Sequence, residues 1–138
     1  MEFNLKLAGT LLIIMAVIHV IFPKYFNWKG ELKSLSLINR QMMYVHTFFI
    51  AVIIFLMGLL CLTCTQEIIE TSLGRKIALG LGIFWLFRLF FQFFVYSSVL
   101  WKGKKFETTI HVLFAILWTY FSAVFLCVYL IMGSGFDK

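Results

Sequence analysis

Three histidines lie inside or beside long apolar runs of this 138-residue chain. His19 lies near the end of the first run, whereas His46 and His111 lie near the beginnings of the second and fourth runs. If successive runs cross a bilayer in opposite directions, all three imidazoles reach a similar depth near one membrane face. Imidazole is the commonest metal ligand in proteins, and two histidines from facing helices can hold a b-type haem. The pattern therefore predicts either a haem b or transition-metal site, or histidines that anchor the helices at the interface.

A polar face on the third apolar run is the second candidate for chemistry. Arg88 and Gln92 are four residues apart, and Trp85 and Tyr96 continue the same helical face. A charged side chain in a bilayer costs about 2.5 to 3.5 kcal/mol on insertion scales, so this face is expected to point inward. Arg88 could bind an anionic group such as a haem propionate, a quinone oxygen or a substrate carboxylate. The structural alternative is that Arg88 caps carbonyls or pairs with a carboxylate.

The fourth run adds a carboxylate one turn before a histidine, because Glu107 precedes His111 by four residues. This spacing completes a predicted cofactor-binding set near the cytoplasmic face. The sequence thus favours a small membrane protein that binds haem, metal or quinone in a redox role, although no HExxH pair or EF-hand loop specifies the metal. The predicted set consists of His19, His46, His111, Arg88, Gln92 and Glu107, with the three histidines as metal ligands.

A separate redox hypothesis rests on Cys61 and Cys64, which close the second run with C-x-x-C spacing. This spacing resembles the thiol pairs of four-helix membrane enzymes that generate disulfides. The resemblance implies a thiol oxidoreductase that uses these two cysteines. Such enzymes typically carry a second cysteine pair as a relay, whereas this chain has Cys127 alone beyond the first pair. The alternative is that the cysteines are apolar fillers in packed helices.

The elements that must position these side chains follow from composition. The chain is 62% hydrophobic and 13% charged, which is too apolar for a domain with its surface in water. A bilayer core about 30 Å thick needs roughly 20 apolar residues per helix. We therefore predict one all-α domain, an integral membrane four-helix bundle with short antiparallel connections, and we expect Pro23 to stop the first helix. The predicted spans are residues 4–22, 42–64, 77–100 and 108–132.

The distribution of basic residues predicts the orientation. The first and third connections carry seven basic residues and the opposite side carries four, so we expect both termini outside the cytoplasm, in what we take to be a bacterial inner membrane. Segment 25–39 mixes leucines, aromatics and lysines and is either an interfacial amphipathic segment or a solvated loop. The net charge of +6 suits anionic lipids and not nucleic acid. The seven basic residues of the first and third connections are Lys24, Lys29, Lys33, Arg40, Lys102, Lys104 and Lys105, and the four on the opposite side are Lys6, Arg75, Lys76 and Lys138.

A stripe of small residues on the third span indicates a surface for packing against another helix. Gly74, Ala78 and Gly82 recur at spacing four, which lets another helix approach the third span closely. This stripe supports an alternative function, a non-catalytic accessory or transporter-like subunit of a larger membrane complex, or a homo-oligomer. The sequence contains no P-loop, no dinucleotide-binding glycine motif and no nucleophile elbow, and its connections are too short for a soluble catalytic domain. Any reaction would have to take place within the helices.

Overall fold

The computed structural model describes residues 1–133, and the regular secondary structure in this range is helical. Four helices are long and apolar enough to cross a membrane by their length and composition. The predicted all-α fold with four helices of spanning length is therefore confirmed. The long helices are α1 (Glu2–Tyr25), α3 (Leu37–Thr63), α5 (Ser72–Phe94) and α6 (Lys105–Gly133), and the short ones are α2 (Trp28–Glu31) and α4 (Thr65–Glu70). Lys138, which enters the orientation argument, lies outside the described residues.

The end of α1 differs from the prediction. The helix continues past Pro23 to Tyr25. Because Pro23 lies in the last turn, its missing N–H removes a single hydrogen bond and does not break the helix. The helix ends one turn later, where Asn27 adopts a left-handed conformation with φ of 48°. The prediction that Pro23 stops the first span is wrong, and Asn27 supplies the stop.

The third span is also displaced from its predicted bounds, since α5 begins at Ser72 and ends at Phe94. Thr71 caps its beginning, where the hydroxyl oxygen accepts a hydrogen bond from the Gly74 N–H at 2.9 Å. Beyond its end, Ser97 is extended and its side chain accepts a hydrogen bond from the Val99 N–H at 3.3 Å. A short 3-10 turn, Ser98–Leu100, follows in place of the predicted last turn of the span.

The contacts divide the chain into two compact units, residues 5–65 and residues 1–4 together with the chain from residue 66 onward. In the unit of residues 5–65, α1 and α3 approach each other at a pair of glycines. A Cβ atom on Gly58 would lie 2.8 Å from the carbonyl oxygen of Gly9, and one on Gly9 would lie 2.9 Å from that of Gly58. The two backbones can meet only because neither residue has a side chain. Apolar periodicity does not identify either glycine as a packing position.

In the other unit, α5 packs against α6 around aromatic side chains. Trp85 of α5 stacks on Trp118 of α6, with ring centroids 5.0 Å apart and 12° between the planes. Phe121 and Phe125 are fully buried. Stacked rings of this kind contribute about 0.5 to 1.5 kcal/mol beyond the area they bury. This packing holds the ends of α5 and α6 that carry the polar residues discussed next.

The small-residue stripe is used for packing within the chain. Gly74, Ala78 and Gly82 are all buried. A Cβ atom on Gly82 would lie 2.8 Å from Cδ2 of Leu126 in α6, and one on Gly74 would lie 2.5 Å from Cα of Ile68 in α4. The stripe therefore brings α5 close to α6 and α4. Association with other subunits stays a prediction, but this stripe no longer supplies the argument for it.

Candidate functional site

The side-chain amide of Gln92 lies at the centre of a hydrogen-bonded cluster that joins α5 to α6. Gln92 is 6% exposed. Its Oε1 accepts hydrogen bonds from Nη1 of Arg88 and Nε1 of Trp118, both at 3.4 Å. Its Nε2 lies 2.7 Å from Nδ1 of His111. We call these four residues, Arg88, Gln92, His111 and Trp118, the Gln92 cluster.

The cluster determines which nitrogen of His111 carries a proton. Arg88 and Trp118 present only N–H donors, so the amide atom that faces them must be the oxygen of Gln92. The amide nitrogen consequently faces His111 and donates to Nδ1. Since Nδ1 accepts this bond, the neutral ring of His111 carries its proton on Nε2. His111 is thus a hydrogen-bond donor to whatever lies beyond its Nε2.

Arg88 has aromatic neighbours in place of a carboxylate. Its guanidinium carbon lies 4.9 Å from the ring centroid of Trp118 and 5.5 Å from that of Tyr96. Along the described residues no carboxylate pairs with it, and its hydrogen bond to Gln92 is long at 3.4 Å. Cation–π contacts contribute about 0.5 to 2 kcal/mol, which offsets part of the cost of a charge in the membrane. Several N–H groups of Arg88 remain available to an acceptor.

Two aromatic rings hold the imidazole of His111. Trp101 stacks on it with centroids 3.8 Å apart and 12° between planes, and Phe93 meets it edge-on at 5.9 Å. Trp101 lies in the connection between α5 and α6, and its carbonyl oxygen accepts a hydrogen bond from the Thr108 hydroxyl at 2.7 Å. The connection is therefore tied to the first turn of α6. The orientation of the His111 ring is thus held by one stacked and one edge-on aromatic contact.

His111 also lines an open groove of about 520 Å³ beside α6. The groove is wide open, since Val112 and Ile116 in its lining are 49% and 62% exposed. Two polar residues in it are already satisfied, since the Thr119 hydroxyl donates to the Ala115 carbonyl at 2.8 Å and the Tyr120 hydroxyl to the Asn4 carbonyl at 3.3 Å. His111 also lines this groove, and its Nε2–H has no hydrogen-bond partner among the described residues. The lining consists of Phe93, His111, Val112, Ala115, Ile116, Thr119 and Tyr120.

A further donor lies on α5, one turn before Arg88. Trp85 is 1% exposed, and its Nε1 is buried without a hydrogen-bond partner in the described part of the chain. A buried N–H without a partner costs about 1 to 3 kcal/mol. Arg88 and Trp85 thus both have unused donor capacity, and both lie against the ring of Trp118.

The remaining predicted histidines have different surroundings. His19 is half-buried and His46 is exposed, and both belong to the unit of residues 5–65. Each ring bonds its own helix through Nδ1, His19 to the Met15 carbonyl at 2.8 Å and His46 to the Met42 carbonyl at 3.0 Å. A carbonyl can only accept, so Nδ1 carries the proton and the neutral ring leaves Nε2 unprotonated.

The predicted metal site gains no support from the geometry. Nowhere in the described chain do three His, Cys, Asp or Glu side chains group as metal ligands would. Glu107 is exposed at the beginning of α6. His111 would have to move its proton from Nε2 to Nδ1 before it could bind a metal through Nε2, and it would then lose its bond from Gln92. The structure brings Arg88, Gln92 and His111 together and leaves Glu107 outside this group.

The cysteines are present as free thiols. Cys61 is fully buried, while Cys64 and Cys127 are half-buried. Exchange with a disulfide requires access to a sulfur atom along its line of attack. Burial of Cys61 is thus unfavourable for the thiol hypothesis and is what an apolar filler requires.

Spacing along the fourth run predicts that Trp118 shares a helical face with His111, but it does not assign a functional role to Trp118 or Trp101. Trp118 follows His111 by seven residues, two helical turns, so the two positions share a face of α6. That periodicity was the available signal for Trp118. No comparable periodicity identifies Trp101, because the backbone between α5 and α6 is irregular. Its stack on His111 depends on a 3-10 turn that apolar periodicity does not reveal.

Comparisons with known proteins add no relative, because no family model, curated protein or solved structure matches the chain.

Proposed function

We propose that this integral membrane protein binds a quinone in the groove beside α6. In this proposal the Nε2–H of His111 donates a hydrogen bond to one carbonyl oxygen of the quinone. The observation that carries the proposal is the 2.7 Å contact between Gln92 Nε2 and His111 Nδ1, in an amide whose orientation two other donors define. The redox role expected from the sequence stays a prediction.

The groove supports a quinone better than a free anion. Its lining is mainly apolar, and His111 offers it a neutral N–H. Such a donor matches a carbonyl oxygen, whereas an anion in an apolar groove would need a charged partner there. Aromatic rings at the site, Trp101 and Phe93, also suit a flat ligand. Arg88 and Trp118 support the His111 donor indirectly, because their hydrogen bonds to Gln92 Oε1 orient the amide nitrogen towards His111.

Haem and metal ions are less well supported at this site. Ligation by His111 through Nε2 would break the bond to Gln92 and leave two N–H groups facing each other. His19 and His46 each have an unprotonated Nε2, so a haem held by them is the alternative that an absorption spectrum would reveal.

A binding titration tests the proposal. We expect a short-tailed benzoquinone to quench the tryptophan fluorescence of the purified protein in nanodiscs, because Trp101 stacks directly on His111. His111→Leu removes the proposed donor and should weaken binding about tenfold, as expected when a buried acceptor loses its hydrogen bond. His46→Leu is the matched control, since His46 bonds only its own helix among the described residues, and it should bind like the unmodified protein.

Two results would overturn the proposal. One is equal affinity of His111→Leu and His46→Leu for the quinone. The other is a Soret band from stoichiometric haem that disappears in His19→Leu or His46→Leu, since it would assign the cofactor to other residues. Organic extraction of the purified protein adds an independent check, because a native site should carry quinone from the host membrane.

A further inference from the structure

The connection between α1 and α3 combines positive charge with exposed apolar side chains. We call residues 24–40 the interfacial segment. It holds four basic residues against one acidic residue, Glu31. Neither α2 nor the 3-10 turn Leu32–Ser34 contains a buried residue. The basic residues are Lys24, Lys29, Lys33 and Arg40.

The basic side chains of this segment are not neutralised within the described residues. Lys24, Lys29 and Lys33 are exposed and Arg40 is half-buried. None of them pairs with a carboxylate in the part of the chain that the structure describes. Unpaired cations that lie this close in the sequence attract a surface of opposite charge.

Several apolar side chains of the segment are exposed as well. Phe26 is 50% exposed, and Leu37 and Ile38 are 60% and 63% exposed. Apolar side chains so close to lysines suit the boundary between headgroups and acyl chains, where both kinds of group find a favourable environment. Bulk water on all sides would be favourable for the lysines but unfavourable for the apolar side chains.

Connectivity and one aromatic contact place this segment at a membrane face. It joins the end of α1 to the beginning of α3, and both helices are of spanning length. The ring of Trp28 meets that of Tyr44 in α3 edge-on, with centroids 5.3 Å apart. The segment is thus held beside the first turns of a spanning helix.

We propose that the interfacial segment binds the phosphate groups of anionic phospholipids, while its exposed apolar side chains enter the acyl boundary. This interaction is independent of quinone binding at His111. It assigns the first connection a specific preference for anionic lipid, beyond the general affinity of an apolar protein for a bilayer.

Spin-labelled lipids test the preference in the full-length protein, reconstituted in phosphatidylcholine bilayers. We expect labelled phosphatidylglycerol to associate at least about fivefold more strongly than labelled phosphatidylcholine, the factor for one lysine that contributes fully at the surface. The preference should fall strongly at 1 M salt, where screening acts within about 3 Å. It should fall towards one in the triple variant Lys24→Gln, Lys29→Gln and Lys33→Gln.

A matched triple variant distinguishes a specific segment from net charge. Lys102→Gln, Lys104→Gln and Lys105→Gln remove the same charge from the connection between α5 and α6 and should retain most of the preference. An equal loss in both triple variants would overturn the proposal, as would absence of any preference in the unmodified protein. Saturable binding of inorganic polyphosphate in pure phosphatidylcholine, as strong as that of the anionic lipid, would also overturn it, because the segment would then bind phosphate without a membrane.

Discussion

Alanine at Gly74 is expected to destabilise the protein by about 3 kcal/mol or more, the upper end of the usual cost of overpacking. An added Cβ atom would collide with the carbonyl oxygen of Glu67 and would lie 2.5 Å from Cα of Ile68. Both are backbone atoms of α4, so the strain cannot be relieved by rotating a side chain. The Gly74 N–H is also held by the Thr71 cap at 2.9 Å, which limits any shift of α5.

Two other glycines on α5 serve as controls for this experiment. Gly80 has no atom within 4 Å of an added Cβ, so Gly80→Ala should stabilise the helix by about 0.5 to 1 kcal/mol. Gly82→Ala should lie between the two, because its nearest neighbour is the side chain of Leu126, which can move. Reversible unfolding in mixed detergent micelles measures all three variants. Equal stability of Gly74→Ala and Gly80→Ala would contradict the close contact between α4 and α5.

Replacement of Arg88 by leucine is expected to change stability and ligand binding in opposite directions. A membrane-embedded cation costs about 2.5 to 3.5 kcal/mol, and its contacts with Trp118 and Tyr96 return only part of this. Arg88→Leu should therefore be more stable by about 1 kcal/mol. Quinone affinity should fall about tenfold, because Arg88 donates one of the two hydrogen bonds that orient the Gln92 amide towards His111.

The same unfolding assay and fluorescence titration measure both effects in one variant. Arg88→Lys is the matched control, because it keeps the charge and so the membrane cost but loses the planar set of donors. Arg88→Lys should bind quinone weakly, and it should not show the gain in stability expected for Arg88→Leu. If Arg88→Leu lost stability and bound quinone normally, Arg88 would be a structural residue and not part of a binding site.

The helical architecture could be predicted from the sequence because its cause is local. Each span needs a run of apolar residues long enough to cross a bilayer, and such runs are visible without knowledge of the fold. The ends of the helices were harder to predict. The apolar pattern does not locate the Thr71 cap at the beginning of α5 or the left-handed Asn27 after α1, and it continues past the end of α5 at Phe94.

The polar face of α5 shows which parts of a site helical periodicity can predict. Spacing alone placed Arg88 and Gln92 on one helical face, and the structure adds their partners on α6, His111 and Trp118. The pairing depends on the relative rotation of two helices, which packing of Trp85 on Trp118 defines. No spacing within one run contains that information. For the same reason, spacing within one run does not reveal the close approach of α1 and α3 at Gly9 and Gly58.

Equal depth in the membrane does not give the three histidines equal surroundings. Depth follows from position along a span, but the direction of a ring depends on its hydrogen bonds. His19 and His46 bond carbonyls of their own helices, whereas His111 bonds the amide of Gln92. Imidazoles at a similar predicted depth can therefore differ in which nitrogen is protonated, and this difference decides between ligation of a metal and donation to an oxygen.

Nitrogen NMR of the histidine rings tests the central claim most directly, because it reports which ring nitrogen is protonated. In protein labelled with nitrogen-15 at histidine, His111 should show a pyridine-type Nδ1 and a pyrrole-type Nε2, with its signals assigned by their loss in His111→Leu. Gln92→Glu replaces the amide donor by a carboxylate of the same shape, which can only accept from the ring, so Nδ1 of His111 should become protonated. A protonated Nδ1 in the unmodified protein, unchanged by Gln92→Glu, would contradict the claim that Gln92 holds His111 as a donor to the ligand.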